Sequence, residues 1–281
     1  MAQNDLQDIA KALESAINEG GYAFQHKVIH LARECAHKTG WKVDLGEFPV
    51  AGPGGDTSID FMLRQDRDEH HFRIIAECKR PNPKFKTWCF AKAPFVHTKY
   101  QHGVYLYLEH VRFGKGDCFA QGIQYRYETK APFCHLSWEI KGNEKGDSGG
   151  KGRGAITDSL TQVLRGMNGF INHLYPRRYQ APAQQFYLVP VIFTTARLFV
   201  TSVDLRDTEL TSGNVDVPKD SLSEHPWVYY DALVGPGLKP SRWEPGGAEL
   251  VDVIDQEFIR TVPIVTANKI EEFLYDFLRD Q

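Results

Sequence analysis

Apolar and polar residues alternate most clearly between residues 72 and 80, a pattern that predicts a β-strand. Its two faces hold different residues: Phe72, Ile74, Ala76 and Cys78 on an apolar face, and Ile75, Glu77 and Lys79 on the other. An acid and a base therefore emerge side by side from an otherwise hydrophobic run. Because a buried charge is costly unless it is paired, the strand predicts either an ion pair at a sheet edge or a functional site.

Helical periodicity is present in four other stretches. The spacing of apolar residues predicts amphipathic helices over residues 4–19, 22–38 and 156–174, and a closing helix over 268–278. Gly40 follows the second of these segments and is expected to end it. The third segment has the most regular helical pattern in the chain, and Pro176 limits it.

The remaining apolar runs predict strands joined by turns and loops. The expected strands cover residues 41–45, 58–63, 72–80, 103–108, 123–127, 135–140, 186–193, 197–203 and 258–265. The expected loops are a glycine-rich turn at 50–56, a hairpin loop at 64–71, a flexible loop at 142–154 and irregular surface at 208–247. This order predicts an α/β fold in which helices cover both faces of a mixed central sheet. We expect a single domain over residues 1–281, with a β-rich insertion at 84–150.

Composition adds limits to this picture. Hydrophobic residues make up 42% of the 281-residue chain and charged residues 25%, with a net charge of −3, as in an ordinary globular protein. No signal peptide or membrane-spanning run is evident, and we expect no membrane association. The five cysteines form no CxxC pair, which favours free thiols and a cytoplasmic location. A zinc site formed by Cys118, Cys134 and His135 remains an alternative.

The segment after the 72–80 strand combines positive charge with aromatic rings. Residues 79–108 contain no Asp or Glu. The candidate nucleic-acid-binding residues in this segment are Arg80, Lys84, Lys86, Trp88 and Lys92. Lysine and arginine contact phosphates and aromatic rings stack on bases, so the pattern favours a nucleic-acid surface. The alternative is an aromatic-rich hairpin whose lysines are only solvated.

Asp60 lies in the strand that precedes the 72–80 strand, with sixteen residues between Asp60 and Glu77. An antiparallel hairpin of this length can bring the two carboxylates together. Paired carboxylates bind Mg²⁺ through their oxygens, and a neighbouring Lys79 can stabilise developing charge. Phosphodiester hydrolysis needs these groups. The glycine-rich turn before Asp60 lacks the GxxxxGK[ST] pattern, which favours a plain turn over a phosphate-binding loop.

These residues resemble a known superfamily. The stretch 54–60, the hairpin, and the stretch 76–80 are similar to the PD-(D/E)xK nucleases, and most similar to the Mrr-type restriction enzymes. The resemblance implies a restriction-endonuclease-like fold, with Asp60 and Glu77 as ligands of Mg²⁺ or Mn²⁺ and Lys79 as the catalytic lysine. Gln25 stands where the family often has a metal-binding glutamate. Gln162 matches a glutamine that positions water or backbone.

The expected function is therefore metal-dependent cleavage of DNA, in restriction or phage defence. A homodimer is a further expectation, because a duplex presents two strands to cut. Two alternatives stay open. One is a catalytically impaired nucleic-acid-binding or assembly module, suggested by Gln25, which adds no charge to the metal site. The other is a nuclease that acts on RNA.

Overall fold

The computed structural model describes residues 2–19, 21–52, 55–67, 70–92, 105–142, 154–235 and 258–279. It shows a mixed α/β fold with a large central sheet and helices on both faces, which confirms the predicted fold class. None of the helices in these ranges is long and apolar enough to cross a membrane.

The main sheet contains nine strands of the described chain. Its order is β1 (Lys42–Leu45), β4 (Phe61–Arg67), β5 (His70–Lys79), β11 (Gln184–Thr194), β15 (Ile259–Thr266), β14 (Trp227–Leu233) and β9 (Phe133–Cys134). A hairpin of β7 (Tyr105–Gly114) and β8 (Asp117–Arg126) pairs with the first half of β11. Strand β5 pairs antiparallel with β4 and parallel with β11, so it lies inside the sheet.

Two smaller sheets complete the β structure. One has the order β10 (Leu136–Ile140), β6 (Thr87–Ala91), β12 (Arg197–Thr201) and β13 (Leu222–His225). The other is a hairpin of β2 (Phe48–Gly52) and β3 (Gly55–Ile59). The strands β6 and β12 pair in parallel at the centre of the four-stranded sheet.

The helices are α1 (Ala2–Glu19), α2 (Tyr22–Glu34), α3 (Ala36–Thr39), α4 (Ala155–Leu174) and α5 (Ile270–Asp276). Helix α4 and the four-stranded sheet share one hydrophobic core with one face of the main sheet. The other face packs against α2 and α5 in a second core. Strand β5 contributes to both cores, since Ile75 belongs to the first and Ile74 to the second.

The predicted helices are confirmed. The segment 22–38 is divided at Cys35 into α2 and α3, and Gly40 ends α3 in the left-handed conformation, with φ +76°. That conformation is one a glycine adopts without strain. Helix α1 matches its prediction in position, but its apolar side chains are exposed: Leu6 by 66%, Ile9 by 61%, Leu13 by 57% and Ile17 by 47%.

Four loop or strand predictions are wrong. The glycine-rich turn expected over 50–56 is mostly strand, because β2 and β3 stay paired as far as Gly52 and Gly55. The strand expected over 58–63 is broken by a bend at Asp60, which separates β3 from β4. The loop expected over 64–71 is mostly strand, because β4 and β5 stay paired as far as Arg67 and His70. The irregular surface expected over 208–247 contains β13 and β14 in its described part, and 236–247 lie outside the described residues. Strand β14 was not predicted, because Gly and Pro residues surround it in the sequence. Its Val228 and Tyr229 are nevertheless buried, and it pairs with β15 in the main sheet.

The β-rich insertion expected at 84–150 lies partly outside the described residues, which omit 93–104 and 143–153. The part that is described is mainly β, as expected. It does not form one body, because β6 and β10 join the four-stranded sheet while β7, β8 and β9 join the main sheet. The boundaries of the insertion stay a prediction, as does the flexible loop at 142–154.

Trp88 requires a correction. It was a candidate for stacking on nucleic-acid bases, but its side chain is 0% exposed and packs in the core between the four-stranded sheet and the main sheet. Strand β6 turns Trp88 and Phe90 inward and the alternate residues outward, as the two-residue repeat of a strand requires. A ring inside the core cannot reach a base.

Substitution of Trp88 tests this placement. We expect Trp88→Ala to lower the free energy of unfolding by about 3–5 kcal/mol, because it leaves a cavity in the core. The matched control is Trp138→Ala in the neighbouring strand β10, where the ring is 43% exposed and the loss should stay below about 1 kcal/mol. Urea denaturation measures both. Equal losses in the two variants would contradict the assignment of Trp88 to the core.

Candidate active site

Asp60 occupies the bend between β3 and β4, and hydrogen bonds hold it on two sides. The backbone N–H of Cys78 donates to Asp60 Oδ2 at 2.6 Å. The side-chain Nε2 of Gln25, on α2, donates to the Asp60 backbone carbonyl at 3.1 Å. One bond fixes the carboxylate and the other fixes the main chain. The bend thus turns the Asp60 carboxylate toward the end of β5.

Glu77 reaches the same place through the pairing of β4 and β5. Phe61 is opposite Ala76, so the next residue outward on each strand is Asp60 and Glu77. Glu77 is only 7% exposed. Its carboxylate forms no hydrogen bond with any residue that the structure describes. A buried carboxylate without a donor is costly, so this side chain is the least satisfied part of the site.

Burial raises the pKa of both acids. The pKa of Asp60 rises to about 6, although the hydrogen bond from Cys78 and the charge of Lys79 oppose the shift. The pKa of Glu77 rises to about 8, because burial is reinforced by the negative charge of Asp60. The positive charge of Lys79 again acts in the opposite direction. Two carboxylates this close cannot both ionise cheaply without a cation.

Lys79 and Gln162 complete the cluster. Lys79 Nζ donates to Gln162 Oε1 at 3.5 Å, which links β5 to α4. Helix α4 approaches closely because Gly166, one turn after Gln162, has no side chain. A Cβ there would lie 3.0 Å from Cγ1 of Ile59, the residue before Asp60. The close packing of α4 therefore places Gln162 over the end of β5.

The alternative of an ion pair between Glu77 and Lys79 at a sheet edge does not match the contacts of these residues. Strand β5 pairs with β11 as far as Lys79, but its pairing with β4 ends at Ala76, so Glu77 and Lys79 have a strand partner on one side only. Within the described part of the chain, Lys79 forms no ion pair within 4.0 Å with Asp60 or Glu77. Glu77 and Lys79 are therefore charged groups at the end of β5 that do not neutralise one another by contact.

The donor set fits a divalent cation held by Asp60 and Glu77. Mg²⁺ and Mn²⁺ prefer oxygen ligands, and a cation would favour ionisation of both acids. The described residues form no cluster of three or more His, Cys, Asp or Glu side chains, so further ligands would be neutral oxygens. Gln25 lies at the site, as expected, and its amide nitrogen is already bonded to the Asp60 carbonyl.

The predicted basic residues lie at different distances along the chain from this cluster. Arg80 is exposed and directly follows β5, and Lys86 is exposed just before β6. Lys84 is half-buried in the short 3₁₀ turn Pro83–Phe85 between them. Lys92 is exposed but follows the far end of β6. Arg80, Lys84 and Lys86 therefore lead away from the site along one connection, whereas Lys92 belongs to another region.

The proposed zinc ligands do not form a cluster among the described residues. Cys118 is in β8 and Cys134 is in β9, on separate parts of the main sheet. Burial raises the pKa of Cys134 to about 12, so without a metal its thiol stays protonated at neutral pH. His135 Nε2 instead lies 3.6 Å from Asp231 Oδ2.

Sequence reasoning missed Glu47. This exposed residue lies just before β2, and its charge contributes to the raised pKa of Asp60. The available signal was its position immediately before the hairpin that leads to Asp60. No ligand distance supports a direct role for Glu47, so we assign it only an electrostatic effect on Asp60.

No protein-family model, curated protein or solved structure matches this chain. The case for the site therefore depends on its geometry. Five predicted residues converge at the end of β5: Gln25, Asp60, Glu77, Lys79 and Gln162.

The raised pKa values predict that stability depends on pH. Below pH about 4 both acids are mostly protonated in the folded and in the unfolded protein, so their burial does not lower stability. As the pH rises above this value the unfolded protein loses these protons first, and the free energy of unfolding falls up to pH about 6 for Asp60 and about 8 for Glu77. Without divalent cations, we expect Glu77→Gln to exceed the wild type in stability at pH 8 by on the order of 2–4 kcal/mol, and to differ less at pH 5. Chemical denaturation in EDTA measures this difference. A wild-type advantage at pH 8 would contradict the burial of an unpaired Glu77.

The position of Gln25 predicts a change that depends on metal. Gln25→Glu would remove the hydrogen bond to the Asp60 carbonyl and add a third carboxylate. We expect the free energy of unfolding of Gln25→Glu in EDTA at pH 8 to be about 1–3 kcal/mol lower than that of the wild type. Adding Mg²⁺ or Mn²⁺ should raise this free energy more in the variant than in the wild type. Gln25→Met is the neutral control, which loses the hydrogen bond without adding charge. Equal gains in stability on adding the cation to Gln25→Glu and Gln25→Met would contradict a cation site beside residue 25.

Proposed function

We propose that this protein is a metal-dependent phosphodiesterase of the PD-(D/E)xK type that hydrolyses DNA. The observation that carries the proposal is the convergence of half-buried Asp60 and buried Glu77 where β4 and β5 meet, with Lys79 two residues beyond Glu77 on β5. The resemblance of residues 54–60 and 76–80 to that superfamily supports the same interpretation. The reaction class follows from the chemistry, because two acidic ligands and a lysine suit the transfer of a phosphoryl group to water.

Each residue of the candidate site has its own proposed role. Asp60 and Glu77 would hold Mg²⁺ or Mn²⁺, which when bound polarises the phosphoryl oxygen and makes water a better nucleophile. The Cys78 N–H and the Gln25 amide keep Asp60 in place. Lys79 supplies a fixed positive charge where negative charge develops on the phosphate.

Gln162 and the cations beside the site have supporting roles. The contact between Gln162 Oε1 and Lys79 Nζ restricts the lysine side chain, and it leaves the Gln162 amide N–H groups able to orient water or substrate. Arg80 and Lys86 are exposed on the connection that leaves the site, where they can contact neighbouring phosphates. A chain with a net charge of −3 thus offers local positive charge close to the carboxylates.

A catalytically impaired nucleic-acid-binding module is the second candidate. One observation favours it: Gln25 adds no charge, and its amide nitrogen holds the Asp60 main chain, which leaves two acidic ligands at the site. The homodimer and the preference for DNA over RNA stay predictions.

Plasmid cleavage tests the proposal. We expect nicking or cutting of supercoiled plasmid with Mg²⁺ or Mn²⁺, reduced at least about 100-fold in Asp60→Ala, Glu77→Ala and Lys79→Ala. Calorimetry should show cation binding that disappears in the two carboxylate variants. The matched control is Asp66→Asn, which alters an exposed carboxylate at the other end of the same hairpin, where it pairs with Arg73. This control should cleave like the wild type.

The outcomes separate the two candidates. Cleavage that persists in Lys79→Ala, or that never appears with either metal, contradicts a catalytic site. DNA binding without cleavage and without cation binding favours the impaired module. Cleavage of RNA in place of plasmid would keep the chemistry and change the substrate.

A further inference from the structure

The four-stranded sheet has an outer face that is rich in apolar and aromatic side chains. Its strand register places Trp138, Cys89 and Phe199 in one row, with Ile140, Thr87 and Arg197 in the next. Residues opposite one another on paired strands share a face, and the alternate residues Trp88, Phe90, Leu198 and Val200 fill the core. We call the outward rows the aromatic face.

The aromatic face is open to solvent. Trp138 is 43% exposed and Ile140 is 45% exposed, while Phe199 is half-buried. The strand register makes Trp138, Phe199 and Ile140 members of one contiguous apolar patch, and such exposed patches mark interaction sites. The chemistry of the surrounding residues indicates which partner fits.

Positive charge collects at one end of the aromatic face. Lys86 precedes β6 and Lys141 follows β10, and both are exposed. The Lys86 backbone carbonyl accepts a hydrogen bond from the Arg197 N–H at 2.8 Å, and the Lys84 carbonyl accepts one from the Gly142 N–H at 2.8 Å. These bonds hold the lysine-bearing segments together as one basic end.

Arg197 lies both on the aromatic face and at its basic end. Its guanidinium carbon lies 4.9 Å from the centre of the Phe199 ring. The same side chain donates two hydrogen bonds to Glu224, at 2.8 and 2.7 Å. Arg197 is therefore largely neutralised by Glu224, and Lys86 adds positive charge at the basic end.

The basic end adjoins the candidate active site. Strand β5 ends at Lys79 and the chain resumes as β6 at Thr87, while β11 ends at Thr194 and resumes as β12 at Arg197. The N–H of Thr195 donates to the Lys79 carbonyl at 3.4 Å, which ties the two connections together. Both central strands of the four-stranded sheet thus start where the carboxylate site ends. A strand of nucleic acid leaving the site would meet the lysines first and the rings next.

We propose that the aromatic face binds an unpaired, single-stranded segment of the nucleic-acid substrate next to the cleaved bond. Bases stack on Trp138 and Phe199, and Lys86 and Lys141 contact the phosphates. The inference rests on the proposed function and narrows its substrate class. A duplex hides its base faces within the stack, whereas an unpaired segment presents them to a ring. Lysines alone would accept either form, so the exposed rings decide the preference.

Binding measured without catalysis tests this proposal. Fluorescence anisotropy of the full chain in EDTA would compare a labelled single strand of DNA, about 15 nucleotides long, with the duplex of the same sequence. We expect the single strand to bind more tightly. Trp138→Ala and Phe199→Ala should each weaken its binding roughly 10- to 100-fold, while Trp138→Phe, which keeps a ring, should stay within about threefold of the wild type.

Two controls separate stacking from charge and from folding. Tyr179→Ala removes another exposed ring, 72% exposed beside the turn between β7 and β8, and should leave binding unchanged. Lys86→Ala with Lys141→Ala should make the logarithm of affinity fall less steeply with the logarithm of salt concentration, by roughly 0.7 for each phosphate that the protein no longer neutralises. Thermal unfolding of each variant establishes that it remains folded.

The results that overturn the proposal are distinct from those that overturn catalysis. The aromatic face is excluded as a binding surface if Trp138→Ala binds the single strand like the wild type, if the duplex binds as tightly and independently of the rings, or if no nucleic acid binds. If the protein cleaves plasmid but its binding of the single strand does not depend on the rings, only the proposed role of the aromatic face is refuted. If binding depends on the rings but no nucleic acid is cleaved, only the proposed phosphodiesterase activity is refuted.

Discussion

The internal position of β5 is the constraint on which the rest of the site depends. With β11 on one side, β4 on the other as far as Ala76 and a packed core on each face, Glu77 is largely shielded from water. Its carboxylate is then held in a state that favours a proton or a bound cation. The bend at Asp60 adds a second acid to the same volume, and this raises the cost of leaving both ionised.

Two other buried acids, Glu109 and Asp231, differ from Glu77 in their hydrogen bonds. Glu109 accepts hydrogen bonds from Arg260, and Asp231 accepts one from the Thr261 hydroxyl at 2.6 Å. Each has at least one donor on a neighbouring strand, although Glu109 Oε1 has no hydrogen-bond partner among the described residues. Glu77, which is buried to a similar degree, has no such donor among the described residues. This contrast supports the proposed role of Glu77 as a cation ligand.

Strand direction links the carboxylate site to the surface that would hold its substrate. Because β5 and β11 are parallel, both end at the same edge of the main sheet, and both continue into the centre of the four-stranded sheet. Helix α4, which precedes β11, crosses the same edge and brings Gln162 to Lys79. The proposed chemistry and the proposed substrate contact would thus both depend on the same two chain connections, 79–87 and 194–197.

The sequence by itself determined β5, the hairpin that brings Asp60 to Glu77, and helices α2 and α4, because each depends on a local periodicity or a short connection. It also indicated Gln25 and Gln162. Only the tertiary structure decided which side of each strand of the four-stranded sheet faces inward. A two-residue repeat defines two faces but does not say which is covered, so Trp88 was expected at the surface and lies in the core, while Trp138 is the exposed ring. The bend at Asp60 and the burial of Glu77 likewise depend on neighbours distant in sequence, namely α2, α4 and β11.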